Sequence, residues 1–468
     1  MKRRDFFKGG SVAFLGTALL SPFDSIAAVT EDTFYKDGKI AKNIIFLVSD
    51  GMSTGTLNMA NMLLQRKEGR ESTWLSLYAE NKVKRAFMDT ASSSSLVTDS
   101  AAASSSWGGG KRVANGSLNV NADGSENIPI WRKFKALGKS AGCVTTVPIT
   151  HATPAGFCVT SKKRDDQPGI ALKYLDAGYD VLLGGGLEFF SADKRADKLD
   201  VFQKYKEKGY QVVRTKAQLS DVSGNQPVLG VFYEDGLPYT LDRSSDTKLQ
   251  QEIPSLADMT RKALSQLSKN KKGFVLQVEG GKVDWAAHAN DIGGLLYDQI
   301  AFDEAVATAI AFAEQDKETL VVITTDHGNA NPGLFSGSNA TANFDRIQKF
   351  RHTNEWILNG VDKNTSQSAF IEKVEAAHGY AIKTTEAASI LKHYSQLDEQ
   401  GLYNPRNLPF KELAQVQYNY TSVGWGSMDH SADYVELAMF GPGSELLKPF
   451  VKNFELHNLM LKAAGVQV

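Results

Sequence analysis

Four segments set carboxylates and imidazoles where an apolar run gives way to a turn. The run Asn43-Ile44-Ile45-Phe46-Leu47-Val48-Ser49 ends in Asp50 and Gly51. An Asp at a strand end often only caps a helix, so this segment alone is weak. In Val278-Glu279-Gly280-Gly281-Lys282-Val283-Asp284-Trp285-Ala286-Ala287-His288, Asp284 and His288 are four apart. A helical turn through Ala286 and Ala287 would put both on one face, where they can grip one ion. Glu279 adds a hard oxygen at the strand end, and a solvated Asp–His pair would leave it and the double glycine without purpose. Leu320-Val321-Val322-Ile323-Thr324-Thr325 leads into Asp326-His327-Gly328, adjacent ligands that can reach one metal because the chain turns there. Met428-Asp429-His430-Ser431 brings another imidazole. Mixed imidazole and carboxylate sets without thiolate suit catalytic zinc; threonine and glutamate oxygens suit magnesium.

A nucleophile stands in Val97-Thr98-Asp99-Ser100-Ala101-Ala102-Ala103-Ser104. The alanines favour a helix, which puts Ser100 at its N-terminus, where backbone N–H groups attract an anion. A serine there is most often only an N-cap. No Gly-x-Ser-x-Gly elbow is present, so a nucleophilic Ser100 requires activation by a metal. His151-Ala152-Thr153-Pro154 offers the Thr153 hydroxyl to a hard cation, and the Arg164 guanidinium fits a phosphoryl group bidentately. Taken singly, Arg164 in Lys162-Lys163-Arg164-Asp165-Asp166 reads as a solvated charge run. His352, His378, His393 and His457 are left to surface or core roles.

Positioning these residues calls for an α/β fold, a central, largely parallel sheet flanked by helices. Strands are expected at 43–49, 142–147, 180–183, 274–278, 320–324 and 434–440, and helices at 101–107, 130–137, 255–267, 300–314 and 453–463. Residues 332–425 break the rhythm, being polar with scattered aromatics, and read as a cap-like insertion within one catalytic domain spanning 29–468. Residues 1–28 carry Lys2-Arg3-Arg4-Asp5-Phe6-Phe7-Lys8, an apolar run from Ser11 to Leu20, and Ser25-Ile26-Ala27-Ala28. That order is a cleavable export signal. The arginine pair favours the twin-arginine route over an ordinary secretory signal, and hence a periplasmic or secreted protein.

Composition narrows the class. With 42% hydrophobic and 22% charged residues in 468, the chain can bury a large core. Its 52 Lys and Arg balance 53 Asp and Glu, which argues against binding nucleic acid or membrane surfaces by bulk charge. No stretch reaches the ~18 apolar residues of a membrane span. Cys143 and Cys158 make no disulfide-dense scaffold, and spacing leaves one bond or two buried thiols equally open.

The combination resembles the alkaline phosphatase family, in the same motif order over most of the chain after residue 28. It rests on Val97-Thr98-Asp99-Ser100-Ala101, Ala152-Thr153-Pro154, Glu279 with Asp284 and His288, Asp326-His327, and His430. The resemblance implies one zinc on Asp284, His288 and His430, and a second on Asp50, Asp326 and His327 with Ser100. It implies magnesium on Asp50, Thr153 and Glu279, and phosphate held by Arg164, which Asp99 orients. Phosphate monoesters would then be hydrolysed through a phosphoserine on Ser100. Family members are commonly dimeric, so a homodimer is an expectation of the resemblance, although no interface is readable. His151 and Trp285 replace the acidic residue and lysine found beside the site in one form of the family; they stand as possible outer-sphere groups, and the third metal's identity turns on them.

Three rivals remain. A phosphodiesterase of the same superfamily would place a second substituent where Arg164 and the third cation site lie. A sulfatase needs a Cys/Ser-x-Pro-x-Arg setting, which Asp99-Ser100-Ala101-Ala102 lacks. A non-catalytic phosphate or metal binder of the cell envelope would be expected to lose the nucleophile or a ligand, and none is missing.

Overall fold

The computed structural model describes residues 40–397 and 407–466, so the signal pattern over 1–28 lies outside the described residues. Strands in chain order are β1 (Asn43–Ser49), β2 (Lys84–Met88), β3 (Ser140–Pro148), β4 (Val181–Gly185), β5 (Gln211–Val213), β6 (Val228–Val231), β7 (Phe274–Gly280), β8 (Thr319–Thr324), β9 (Gly328–Asn329), β10 (Gly333–Leu334), β11 (Val423–Gly424), β12 (His430–Ser431), β13 (Val435–Phe440) and β14 (Phe450–Val451). Ten of them form one sheet in the order β14-β2-β13-β8-β1-β7-β3-β4-β6-β5. β13 runs antiparallel to β8 and β2, and the remaining pairings are parallel.

Every residue of β1, β3, β7 and β8 is buried. Near-continuous apolar runs of this kind belong to parallel strands covered on both faces, where alternation with polar residues is not needed. The strand period of two then divides each run between two cores. Ile45 and Leu47 join one cluster, Ile44, Phe46 and Val48 the other.

The expected strands all occur, with ends shifted by up to two residues, and the short β2, β5, β6 and β14 went unread. One helix runs Ile292–Asp316 where 300–314 was expected, and its additional first turns hold Gly293 and Gly294, which serve close packing. A Cβ on Gly293 would meet Leu241 and Phe350 at 3.1 Å, and one on Gly294 would meet Ala286 at 3.3 Å. The segment 332–425 is largely helical over Ala340–Asp345, Asn354–Asn359, Gln367–His378, Thr384–Tyr394 and Phe410–Thr421. Several of its aromatics sit on the buried faces of these helices: Phe344, Phe370, Tyr394 and Phe410, with Phe350 from the intervening turn, lie in the same core cluster as Ile45 and Leu47.

Candidate active site

The central strands β8, β1, β7 and β3 lie side by side, and their carboxyl ends carry the predicted residues. Val48 pairs with both Glu279 and Thr324, and Thr145 with Glu279, so these ends are level. Ligands bind open α/β sheets in this crevice. Asp50 follows β1, Glu279 closes β7, Asp326 and His327 follow β8, and His151 and Thr153 follow β3. Gly51 makes the turn after β1 with φ +66°, and a Cβ there would lie 2.5 Å from Asp284 Oδ1. Only glycine combines that left-handed turn with that approach. Helix Lys282–His288 presents Asp284 and His288 one turn apart, with His288 Nε2 3.5 Å from Asp284 Oδ2. The short β9–β12 ladder pairs His430 with Asn329, which brings the fourth segment against the third.

Each of three imidazoles has its Nδ1 against a backbone carbonyl: His288 on Met428 at 2.7 Å, His430 on Thr98 at 2.9 Å, His327 on Gly328 at 3.3 Å. That bond sets the tautomer and frees Nε2 as an electron-pair donor, the arrangement metal-ligating histidines adopt. The Nε2 atoms converge on carboxylates. His430 lies 3.5 Å from Asp284 Oδ1, and His327 lies 3.2 Å from Asp326 Oδ2 and 3.6 Å from Asp50 Oδ1. Ligand atoms of Asp284, His327 and His430, of Asp50, Asp326 and His327, and of Asp50, His151 and Glu279 gather within 4.8 Å in each group. Asp50 Oδ1, Glu279 Oε1 and Asp326 Oδ2 are buried without a hydrogen-bond partner. Buried carboxylate oxygens left unpaired are costly, and cations are the partners that answer them. Thr153 donates from Oγ1 to Asp50 Oδ2 at 3.2 Å, adding its hydroxyl to the third group.

The electrostatics agree. Burial, then the neighbouring charges of Asp326 and Asp284, raises Asp50 well above the usual carboxylate range. Burial chiefly raises Glu279 and Asp326 as well. Asp284 moves the other way, because the charges and hydrogen bonding of His288 and His430 outweigh its burial. Packed acids that repel one another in a dry site are what divalent cations neutralise.

Ser100 begins the helix Ser100–Gly109, whose N-cap is Asp99 and not the serine. Its buried Oγ lies 3.3 Å from His327 Nε2. Asp99 does two jobs: Oδ1 accepts from Ala102 N at 2.9 Å, while Oδ2 accepts from Arg164 Nη1 at 3.1 Å and Gly116 N at 2.9 Å. Arg164 is therefore no solvated charge-run residue. Its Nη2 also donates to His151 Nε2 at 3.2 Å. His151 is half-buried, and desolvation of its ring together with the Arg164 charge pushes it down to about 3, so the ring is neutral. Its Nε2 lone pair is taken by Arg164, which leaves Nδ1 carrying the proton. Trp285 packs edge-on against His151 with centroids 6.1 Å apart.

Three neighbours were missed. Thr145 donates to Glu279 Oε2 at 2.5 Å, and Asn329 donates to Asp284 Oδ1 at 2.7 Å. The buried Lys282 ammonium lies over the Trp285 ring at 4.5 Å and the Tyr239 ring at 3.7 Å, so a positive charge stands close to the neutral indole. The sequence did hold a signal for Asn329, two residues beyond His327 in the same turn. Cys143 and Cys158 are free and buried.

Fold and donor set describe a metal-dependent enzyme of the open α/β-sheet class. The family profile described as alkaline phosphatase matches residues 41–466, and the chain belongs to that family. It is 31% identical to alkaline phosphatase 4 of Bacillus subtilis, over 90% of this chain and 88% of that one. It is 30% identical to the alkaline phosphatase of Escherichia coli, over 69% and 77%. Among solved structures, the Thermus thermophilus alkaline phosphatase superposes with a TM-score of 0.85 at 31% identity, covering 92% of this chain and 93% of that one.

Proposed function

We propose that the chain hydrolyses phosphate monoesters through a phosphoserine on Ser100, at a centre of two zinc ions and one magnesium ion. The observation that carries this reading is the convergence of Ser100 Oγ, the carbonyl-oriented imidazoles and the unpaired carboxylate oxygens on one crevice, with Arg164 held beside it. Asp284, His288 and His430 would hold one zinc, and Asp50, Asp326 and His327 the other beside Ser100. Asp50, Thr153 and Glu279 would hold magnesium. Bound there, such ions lower the pKa of hydroxyl groups and water and stabilise charge on transferring phosphoryl oxygens.

Ser100 Oγ attacks phosphorus in line, the bond to the ester oxygen breaks, and the phosphoryl group rests on the serine. Water then attacks phosphorus from the face the alcohol left, the Oγ–P bond breaks, and inorganic phosphate departs. Arg164 grips two non-bridging oxygens throughout, its fork aimed by Asp99 and His151. Because His151 spends Nε2 on Arg164, its Nδ1–H, which has no partner among the described residues, would hydrogen-bond a water on the third ion in place of ligating it, which supports magnesium there. A diester presents one fewer charge to Arg164, which supports the monoester reading over the phosphodiesterase alternative. Export through the leader over 1–28 to a periplasmic or external site belongs to the same proposal.

Turnover of p-nitrophenyl phosphate, bis-p-nitrophenyl phosphate and p-nitrophenyl sulfate tests it, with chelation and with Ser100→Ala. The monoester should be preferred, chelation should abolish turnover, and the phosphate label should sit on Ser100. Preference for the diester, or metal-free activity, would overturn it.

A further inference from the structure

Lys282 opens the helix Lys282–His288, the one that presents Asp284 and His288. Lys282 and Trp285 are three apart, so their side chains share one face of it. The Lys282 ammonium is held by ring faces, Tyr239 at 3.7 Å and Trp285 at 4.5 Å, and among the described residues no carboxylate pairs with it. Asp235 and Asp298 feel its charge from farther off, and Asp298 already accepts from Thr240 N and Oγ1 at 3.0 and 3.2 Å. A buried ammonium is costly unless its charge is answered, and aromatic faces answer it most strongly where water is excluded. A Cβ on Gly236 would lie 2.9 Å from the Trp285 ring and 3.3 Å from the Lys282 stem, so the chain closes over both. Leu237 N donates to the Thr146 carbonyl at 2.7 Å, and Lys282 N donates to the Thr146 hydroxyl at 3.0 Å, which ties this cover and the helix start to β3. From Trp285 the contacts run on toward phosphate. The indole stands at 76° to the His151 ring, whose Nε2 accepts from Arg164 Nη2 at 3.2 Å.

We propose that Lys282 is a positioning residue for the phosphate grip: its ammonium clamps the Trp285 indole, the indole backs His151, and His151 holds one arm of the Arg164 fork. The inference rests on the phosphomonoesterase reading and deepens it. Asp99 holds the other arm at Nη1, so the fork has two supports and Lys282 stands behind the second. Trp285 is only half-buried, so an indole released by the ammonium has room to turn away from His151. The loss falls on binding more than on the chemical step, because Arg164 grips the same non-bridging oxygens in substrate and product.

The test measures kcat and KM for p-nitrophenyl phosphate, and inhibition by inorganic phosphate, in the parent, Lys282→Met and Lys282→Arg. Methionine keeps an unbranched stem without the charge; arginine keeps a cation over the rings. Lys282→Met should raise KM and the phosphate inhibition constant about fivefold, equivalent to ~1 kcal/mol, and change kcat less than about twofold. Lys282→Arg should recover most of the loss. In an Arg164→Ser background, Lys282→Met should change phosphate inhibition no further. In chelator, the emission of Trp285, taken by difference from Trp285→Phe, should shift in Lys282→Met and return in Lys282→Arg. Unchanged phosphate inhibition in a folded Lys282→Met, a fall in kcat alone, or equal losses with and without Arg164 would overturn the inference. Should Lys282→Met not fold, Trp285→Leu breaks the same relay one step further on, and unchanged phosphate inhibition there overturns it as well. A parent that does not hydrolyse p-nitrophenyl phosphate refutes the phosphomonoesterase reading, and Trp285 emission then decides the clamp by itself: no shift in Lys282→Met overturns it, a shift that Lys282→Arg reverses sustains it.

Discussion

Thr145→Val isolates one contact behind Asp50, Thr153 and Glu279, the residues proposed to hold magnesium. The Thr145 hydroxyl donates to Glu279 Oε2 at 2.5 Å and accepts from Val147 N at 3.1 Å, all within the buried core. Valine keeps the shape and deletes both bonds. A hydrogen bond to a charged group contributes ~1.5–3 kcal/mol, which converts to ~10- to 150-fold in an equilibrium constant. Groups that orient metal ligands change metal affinity by ~10- to 100-fold when lost, so both routes give the same range. Thr145→Val should therefore weaken magnesium binding by about tenfold or more, with zinc binding much less affected because Thr145 touches none of those ligands. The stranded Val147 N–H should separately cost ~1–3 kcal/mol of stability. Thr145→Ser restores the hydroxyl and should recover most of both. Calorimetric titration of magnesium into zinc-loaded protein gives the affinity, and thermal unfolding in chelator gives the stability. Magnesium affinity within about twofold of the parent, or ~0.4 kcal/mol, in Thr145→Val would refute the reasoning, as would a serine variant no better than the valine one.

Two other outcomes follow from contacts away from Thr145. Arg164→Ser should weaken inhibition by inorganic phosphate and lower kcat/KM for a monoester at least about tenfold more than for a diester, and Arg164→Lys should not rescue it, since a point charge cannot span Asp99, His151 and a phosphoryl group; equal losses on both esters would exclude the role. His378 is buried on Phe350, with Nε2 on the His352 carbonyl at 3.1 Å, and burial pushes it from 6.5 down to about 3. The folded state thus refuses a proton that the unfolded chain takes, so this stabilisation is complete above pH 6.5 and is lost as pH falls toward 3. Denaturant titrations between pH 6.5 and 5 should show His378→Leu with a shallower loss of stability than the parent, by up to ~1.4 kcal/mol per pH unit; identical slopes would show that the ring does not titrate in this way.

What could be read in advance divides along physical lines. Carboxylates and imidazoles at the ends of apolar runs were readable because buried parallel strands must be apolar, so a charged residue at their carboxyl end stands out against its run. Asp50, Glu279 and Asp326 all do. Thr145 was hidden for the converse reason: a threonine suits any strand, and its meaning comes from pairing with Glu279 across β3 and β7. Lys282 was hidden because its partners are ring faces, Tyr239 and Trp285, one of them distant in the chain. Helical order in 332–425 escaped because each of its short helices carries only a few apolar residues on its one buried face, so that the period of about 3.6 is carried by scattered side chains such as Ala387, Ile390 and Tyr394, and the glycine pair at 293–294 escaped because close packing and chain breaking use the same residue.

The helix Ser100–Gly109 shows how one serine among several is set apart. Ser104 donates to the Ala101 and Ala152 carbonyls, Ser105 to Ala101, and Ser106 to Ala102. Each hydroxyl is spent on a carbonyl a turn back or on the helix Ala152–Cys158, and these small side chains let the two helices approach closely. A Cβ on Gly156 would lie 2.1 Å from Ser104 Oγ, so the contact admits nothing larger. Ser100 opens the helix and has no preceding turn to bond back to. Asp99 already caps the first turn, which frees the Ser100 hydroxyl from that duty and leaves it facing His327. The nucleophilic role proposed for Ser100 is therefore positional, and the same aspartate that releases it from capping also aims Arg164. Losing Asp99 would disturb nucleophile and phosphate grip together, whereas each of the other serines could be lost at a cost to packing alone.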